Sequence, residues 1–403
     1  MKKLTLLFIF ALTFSACSEE KKTDGSDVKT ITAGKLLDSA DLAAQKEYNV
    51  IADALKEPEK VYRLRIGGGS SVLSALTAIS PQIAKLKNTQ SLDVSQNKLT
   101  ELPPELGDLP NLQTLILDQN PIVKIAPEIG KLKNLRRLSM RSDSLVNFAA
   151  LFSALSAVPN LQTLIISENN LKALPSEIGT LTSLQELDVQ INQLSSLTPQ
   201  LGKLVGLRML YLNSNQLREL PQEFEQLILL ERLYLGSNPI DAFKVSTTLS
   251  KLPNLKVLHL NNCNLEELPV DIGQIKSLEV INLRNNPKLN MTSALKVLSA
   301  LPNLKEIDMS NNQLATSPSG FDKIKNLRVL NLGNNSLNAF PKGLGKLKKL
   351  EVIDLHDNEI SKLPKELAQL KKLKDLNLRG NNVSADDAAK LAKVLPSATI
   401  SFK

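Results

Sequence analysis

The stretch "LHLNNCNLEELP", residues 258–269, decides the fold, because nearly the same string recurs along most of the 403-residue chain. Its spacing is Leu-x-Leu-x-x-Cys-x-Leu-x-x-Leu-Pro, and residues 92–103 repeat it with asparagine in place of the cysteine. Further copies begin at Leu115, Leu164, Leu187, Leu210, Leu330, Ile353 and Leu376. Copies at a nearly constant period indicate stacked supersecondary units rather than two or three separate globular domains.

One column of the repeat holds a polar residue in almost every copy. We expect its asparagine amides to bond backbone groups in the turn after each strand, which would otherwise be buried without partners. The expected structural ladder is Asn97, Asn120, Asn169, Asn192, Asn215, Asn238, Cys263, Asn286, Asn312, Asn335, Asn358 and Asn381, with the off-pattern positions Gly69 and Asp143 in the same column.

These copies resemble the leucine-rich repeat, L-x-x-L-x-L-x-x-N/C-x-L, from about Val61 to the C-terminus. The resemblance implies an α/β solenoid: a curved leucine-rich-repeat array of about 14 coils with a parallel β-sheet on its concave face. Short coils carry the pattern LPxEIGxLxxL on the convex side, whereas residues 147–161 and 291–304 show helical patterns. The convex face is therefore expected to mix helical and extended segments.

The beginning of the chain has the features of a targeting segment. Residues 1–16 place Lys2 and Lys3 before an apolar run that is too short to span a bilayer, as in a signal peptide. The string "FSAC" that ends at Cys17 resembles the lipobox of bacterial lipoproteins, which implies lipidation of Cys17. The acidic residues after it resemble the export signal of surface lipoproteins of Bacteroidetes, which implies an outer-membrane, cell-surface location. The alternative is an ordinary secretory leader.

The rest of the chain divides into a tether, two caps and the array. Residues 17–36 are polar and are predicted to form a flexible tether after the lipidated cysteine. Residues 37–60 are predicted to form an N-terminal helical cap, and residues 61–380 the repeats. Residues 381–403 are predicted to form the last coil and a C-terminal cap, because terminal coils need polar covers.

The residues that suggest chemistry do not assemble into a catalytic or metal site. In the repeat register His259 faces the concave surface, whereas Cys263 lies in the asparagine column and points inward, so the two cannot form a dyad. The segment "RIGGGSS" at 65–71 lacks the Gly-Lys-Ser/Thr ending of a phosphate-binding loop. We therefore expect no metal, no cofactor and no enzyme activity. The net charge of +8 is a small excess over 49 cationic and 41 anionic residues and predicts no nucleic-acid binding.

The concave face is the remaining candidate for function. Two of only four tyrosines, Tyr211 and Tyr234, fall side by side at its outward positions. Tyrosine and arginine are enriched at binding hot spots, although aromatic residues are also simply favoured on β surfaces. Both interpretations remain open. The predicted ligand-binding residues are Met209, Tyr211, Arg232, Tyr234, His259, Asn261, Asn282 and Arg284.

The function predicted from these features is non-catalytic binding of a protein or peptide partner by a lipid-anchored envelope protein. The alternative is a glycan or cell-wall polysaccharide, with the tyrosines stacking on sugar rings and Asn261, Asn282 and Asp308 bonding hydroxyls. A second outward group, Arg137 and Arg141, has carboxylates in neighbouring coils, and we expect ion pairs there rather than an anion site.

Overall fold

A computed structural model of the protein describes residues 35–67, 75–142 and 146–402. The predicted signal peptide, Cys17, most of the tether and the column positions Gly69 and Asp143 lie outside these ranges. Sixteen strands form one long sheet, and every strand pairs in parallel with its neighbours. This sheet confirms the predicted leucine-rich-repeat solenoid.

The strands of the long sheet follow the order of the chain, apart from two short strands that pair with each other on the outside. Each strand of the long sheet is three residues long except the first, which has two. The long sheet comprises β1 (Glu47–Tyr48), β2 (Arg63–Arg65), β3 (Ser91–Asp93), β5 (Thr114–Ile116), β7 (Arg137–Ser139), β8 (Thr163–Ile165), β9 (Glu186–Asp188), β10 (Met209–Tyr211), β11 (Arg232–Tyr234), β12 (Val257–His259), β13 (Val280–Asn282), β14 (Glu306–Asp308), β15 (Val329–Asn331), β16 (Val352–Asp354), β17 (Asp375–Asn377) and β18 (Thr399–Ser401), and the outer pair is β4 (Glu101–Leu102) with β6 (Lys124–Ile125).

The convex side alternates between 3-10 turns and α-helices. Short coils, with proline or a small residue before the turn, form the 3-10 helices Pro81–Lys85, Pro104–Asp108, Pro127–Lys131, Ser176–Thr180, Pro199–Lys203, Gln222–Gln226, Val270–Gln274, Phe321–Lys323, Leu344–Lys346 and Lys365–Gln369. The two predicted helical segments contain α3 (Phe148–Leu155) and α5 (Met291–Leu298). The mixed convex face is thus as predicted.

A third convex helix, α4 (Ala242–Leu249), was not singled out from the sequence. Its N-cap Asp241 accepts hydrogen bonds from the backbone N–H groups of Phe243 and Lys244. The β-branched Val245 and two threonines lower its intrinsic helix propensity. Burial of Val245 and Leu249 against the neighbouring coils outweighs that preference.

The core is one continuous column of leucines between the sheet and the convex side. Leu210, Leu233 and Leu258, on adjacent strands, are all 0% exposed. Each buried leucine contributes roughly 1.5–3 kcal/mol relative to an exposed one. Aromatic residues enter the core at few places, and Phe152, Phe224 and Phe321 are the largest fully buried side chains.

The asparagine column joins neighbouring coils. The Asn238 amide nitrogen donates to the carbonyls of Leu212 and Leu235, both at 2.9 Å, and its oxygen accepts from the Leu217 N–H at 3.0 Å. The residue before it, Ser237, has a left-handed backbone with φ 57°. Each of these other asparagines donates to at least two backbone carbonyls: Asn97, Asn120, Asn169, Asn192, Asn215, Asn286, Asn312, Asn335, Asn358 and Asn381.

Cys263 takes the place of an asparagine in this column. Its thiol lies 3.5 Å from the carbonyls of Leu235 and Asn261, and its N–H donates to the Asn286 side chain at 3.1 Å. Burial raises the pKa of the thiol to about 11. The thiol is therefore protonated at neutral pH and serves as a small, weakly donating core group.

Both ends of the array continue the sheet. Residues 37–60, predicted as a helical cap, contain two short α-helices, α1 (Ser39–Ala43) and α2 (Ile51–Ala54), and the 3-10 helix Pro58–Lys60, and the strand β1 adds to the sheet. At the other end α6 (Ala385–Val394) has its N-cap at Ser384, whose hydroxyl accepts from the Asp387 N–H. The strand β18 then pairs with β17.

Candidate binding surface on the concave face

Three rings of adjacent strands stand together on the concave face. Tyr211 on β10 pairs in register with Tyr234 on β11, which pairs with His259 on β12. The two phenol rings stack with centroids 4.6 Å apart and planes 8° from parallel. The imidazole meets Tyr234 edge-on, with centroids 4.6 Å apart and an interplanar angle of 66°. We call these three residues the ring ladder.

The ring ladder is electrically neutral near pH 7. Burial lowers the pKa of His259 to about 4, so the imidazole carries no proton charge there. Burial also raises the pKa of Tyr211, with a smaller contribution from Tyr234. A stacked or edge-on aromatic contact adds about 0.5–1.5 kcal/mol beyond burial. The ladder is thus a packed, half-buried row of rings on the concave face.

The strand positions beside the ladder combine an apolar and a cationic side chain. Met209 lies two residues before Tyr211, and the Tyr211 hydroxyl is 4.0 Å from its sulfur. Arg232, the register partner of Met209, is exposed. On the other side, Asp188 is buried, and desolvation raises its pKa to about 6 even though Arg141 lies 4.0 Å away.

The predicted residues beyond the ladder are largely engaged by the scaffold. Asn282 accepts a hydrogen bond from the Arg284 N–H at 2.9 Å, an Asx turn that closes the strand. With its amide oxygen turned toward Arg284, Asn311 accepts two hydrogen bonds from that guanidinium, at 3.1 and 2.8 Å. The Asn261 side chain lies over Gly236, where an added Cβ would be 2.4 Å from its oxygen. The same Asx turn is made by Asp93, Asp188, Asp308, Asn331, Asp354 and Asn377.

These turns explain the row of aspartates and asparagines at the last residue of the strands, where Asn282 was predicted to contact a ligand. One carboxylate oxygen of Asp308 accepts hydrogen bonds from the N–H and the hydroxyl of Ser310, at 2.9 and 2.7 Å. Burial raises the pKa of Asp308. Of the predicted set, the ring ladder, Met209 and Arg232 lie outside these Asx turns and amide contacts, whereas Arg284 bonds Asn311 but stays exposed.

Asn213, which sequence reasoning missed, adds a polar group beside the ladder. Its side-chain oxygen is buried and has no hydrogen-bond partner among the described residues. Such an acceptor costs about 1–3 kcal/mol.

A second ladder of amides, also missed, runs along the loops that precede the strands. Each of these loops consists of the two residues between the last two leucines of a convex segment. We call the row of loops the leading rim. In "LPNL" at 252–255 the Asn254 amide donates to the Ile228 carbonyl of the preceding coil at 2.8 Å. The same bond is made by Asn88, Asn111, Asn134, Asn160, Asn303 and Asn326. The recurrent asparagine in this position was the signal available in the sequence.

The rim ladder is interrupted on the two coils that carry the tyrosines. Gly206 and Leu229 stand where the amide donor would be. Val205, Ile228 and Leu229 are 51%, 52% and 37% exposed, so the interruption leaves an apolar patch. The β10 and β11 coils therefore carry exposed apolar residues on the rim and half-buried rings on the concave face. We call Val205, Ile228 and Leu229 the rim patch.

Arg141 of the second outward group forms ion pairs of the predicted kind. The Ser139 hydroxyl and the Arg141 N–H both donate to Asp118, at 2.6 and 2.9 Å. The Arg141 guanidinium lies 4.0 Å from both Glu168 and Asp188.

The described residues contain no cluster of three or more side chains that could hold a metal ion. None of the helices in residues 35–67, 75–142 and 146–402 is long and apolar enough to cross a bilayer.

Comparisons with known families and structures agree with the repeat. A leucine-rich repeat region matches residues 195–319, a leucine rich repeat matches 73–122, 159–217 and 325–383, and a two-copy repeat matches 302–345. No curated protein matches the sequence.

Three solved structures illustrate the similarity. A leucine-rich-repeat protein of Leptospira interrogans is 32% identical with a TM-score of 0.64, covering 89% of this chain and 100% of its own. An internalin of Listeria monocytogenes shares the fold at 18% identity and TM-score 0.59, covering 82% of this chain and 91% of its own. The PEPR1–AtPEP1 structure is 26% identical with a TM-score of 0.53, covering 82% of this chain and 49% of its own.

Proposed function

Because the chain belongs to the leucine-rich-repeat proteins, we propose that it binds a protein or peptide partner, without catalysis, on the concave face of the β10 to β12 coils. The single observation that carries this proposal is the coincidence of two apolar surfaces on adjacent coils. The ring ladder lies on the concave face, and the rim patch lies on the loops that lead into the same two strands. Clustered exposed apolar residues mark interaction sites.

The stacking geometry favours a protein or peptide over a glycan. A sugar ring stacks on the free face of an aromatic ring, but Tyr211 and Tyr234 cover one face of each other. His259 meets Tyr234 with its edge as well. The ring edges, hydroxyls and aliphatic rim patch instead fit apolar side chains and backbone groups of a polypeptide. The similarity to PEPR1–AtPEP1 supports the same choice.

A glycan remains the second candidate because of Tyr211. Its other face is turned toward β9, and no further ring among the described residues stacks on it. One sugar ring could use that face while bonding the phenol hydroxyls. This alternative confines the ligand to the ladder and leaves the rim patch uninvolved.

The experiment is binding to peptide, protein and glycan arrays, with variants that separate the two surfaces. Tyr211→Ala/Tyr234→Ala removes the ladder, and Ile228→Ser/Leu229→Asn makes the rim patch polar. Val329→Ala/Val352→Ala changes two half-buried outward positions on β15 and β16 and is the matched control. For a polypeptide ligand, both test variants should weaken binding, the ladder variant by at least about 30-fold.

Three outcomes distinguish the proposals. Loss in the ladder variant alone, with a glycan ligand, supports the second candidate. Equal binding by the wild type and both test variants would show that neither the ring ladder nor the rim patch contacts the ligand. Equal loss in the control variant would mean that the substitutions act through the fold rather than through a site.

We further propose that the protein is a lipoprotein anchored through Cys17 and displayed on the outer membrane. The support is the sequence alone: a short apolar leader and the lipobox-like "FSAC". Expression in a bacterial host with a labelled fatty acid tests it. Label should enter the wild type and be absent from Cys17→Ser, and an unlabelled, soluble wild type would favour the ordinary secretory leader.

A further inference from the structure

The charge of the protein is concentrated in its last coils. Residues 320–403 contain sixteen lysines and arginines but nine aspartates and glutamates, which accounts for +7 of the total +8. Residues 35–319 are therefore close to neutral. An asymmetry of this kind indicates an anionic partner for one part of a chain.

One set of lysines on the leading rim serves the scaffold. Lys348 donates to the Gly345 carbonyl at 2.9 Å and to the Gln369 side chain at 2.7 Å. Lys371 donates to the Val394 carbonyl at 3.3 Å. Lys133 and Lys276, in earlier coils, make the same contact with a convex-turn carbonyl. These ammonium groups stabilise turns, as cations do at helix C-termini.

A second set replaces the rim ladder of amides. Lys349 and Lys372 occupy the positions that Asn303 and Asn326 occupy in the two preceding coils. Both lysines are exposed. Lys349 does not make the contact with a backbone carbonyl that the asparagines make. It donates instead to the Asn326 side-chain oxygen at 2.6 Å. Lys372 has no hydrogen bond or ion pair with a described residue.

These lysines line a depression of about 320 Å³ on the leading rim. Its other charged walls are Lys305, Arg328 and Glu351. Glu351 is the only carboxylate that lines it, and both Arg328 and Lys374 bond that group. These two partners, Lys374 first, lower the pKa of Glu351. The lining has a formal charge of +3, of which the Lys305 ammonium is paired at 2.7 Å with Glu279 outside the lining, and we call it the basic depression.

We propose that the basic depression binds a phosphate group, held chiefly by Lys349 and Lys372. The two lysines stand at equivalent rim positions of successive coils, and neighbouring strands of a sheet are about 4.8 Å apart, a spacing that one phosphate can bridge. A doubly charged oxyanion matches this surplus of cationic donors better than a single carboxylate, and lysine binds phosphate as a mobile point charge. The Asn303 and Asn326 side chains add polar walls. This site is separate from the ring ladder and does not depend on the proposed partner there.

Titration calorimetry of the mature protein at low ionic strength tests the proposal, with three probes. Inorganic pyrophosphate represents a soluble phosphate, vesicles with phosphatidic acid represent a phosphorylated lipid headgroup, and a polyglutamate peptide represents carboxylates. Lys349→Gln/Lys372→Gln is the test variant. Lys348→Gln/Lys371→Gln, with the same change of charge on the same loops, is the matched control.

Each lysine near an anionic group contributes about fivefold in affinity, so the test variant should bind about 25-fold more weakly. The control should change affinity by less than about threefold, and added salt should weaken binding. Binding of pyrophosphate as well as vesicles identifies a soluble ligand, and binding of vesicles alone identifies a headgroup. Equal loss in both variants, stronger binding of polyglutamate, or no binding of either phosphate probe would overturn the proposal.

Discussion

Replacing Asn238 by alanine should unfold the array far more easily than its small volume change suggests. The substitution removes two donors to the Leu212 and Leu235 carbonyls and the acceptor for the Leu217 N–H. Asn238 is 2% exposed, so water cannot replace these bonds without opening the coil. Each buried group left unpaired costs about 1–3 kcal/mol, so the free energy of unfolding should fall by about 3–5 kcal/mol. Asn238→Cys should lose roughly half as much, because a thiol keeps one weak donor, as Cys263 does.

Urea denaturation followed by circular dichroism measures the effect. The urea midpoint should be highest for the wild type, lower for Asn238→Cys and lowest for Asn238→Ala. Cys263→Asn should have a higher midpoint than the wild type. Coils of a solenoid contact only their neighbours, so a reduced m-value would show that unfolding begins locally at this coil. A loss below about 1 kcal/mol for Asn238→Ala would refute the reasoning, because the carbonyls would then have found other partners.

Three further predictions concern strain and titration. Ile191 is β-branched with φ 52° and is 51% exposed, so Ile191→Asn should raise the thermal midpoint by relieving about 1 kcal/mol of strain, whereas Ile191→Val should not. The pKa of Asp188 is raised to about 6 in the folded protein, whereas it is near 4 in the unfolded chain. The carboxyl therefore favours folding below pH 4 and loses that contribution as the pH rises through 6. In parallel urea titrations Asp188→Asn should be more stable than the wild type at pH 7, but not at pH 4. The pKa of His259 is lowered to about 4, so its neutral form favours folding, and this contribution is lost as the pH falls from about 6.5 toward 4. Titration of the imidazole followed by NMR should have its midpoint near pH 4. A titration midpoint above pH 6 would contradict the burial of the ring.

The repeat was readable because it depends on local spacing. A leucine every two or three residues and one asparagine per copy are enough to predict the coil, the inward column and the side of the backbone on which His259 and Cys263 lie. The same spacing placed Tyr211 and Tyr234 on neighbouring strands. It could not predict α4, where tertiary burial of Val245 overrides a weak helix propensity.

The sequence by itself determined the solenoid, because each copy repeats one solution to burying a leucine column and satisfying one turn. Only the tertiary structure decided which outward residues are available. Asn282 and Asp308 are engaged in Asx turns and Arg284 faces Asn311, whereas the ring ladder and the rim patch remain. The Asx turns are local and join residues two positions apart. The Arg284–Asn311 contact and the ring ladder instead join residues about two dozen positions apart, across coils, and their geometry depends on the stacking distance rather than on any local pattern.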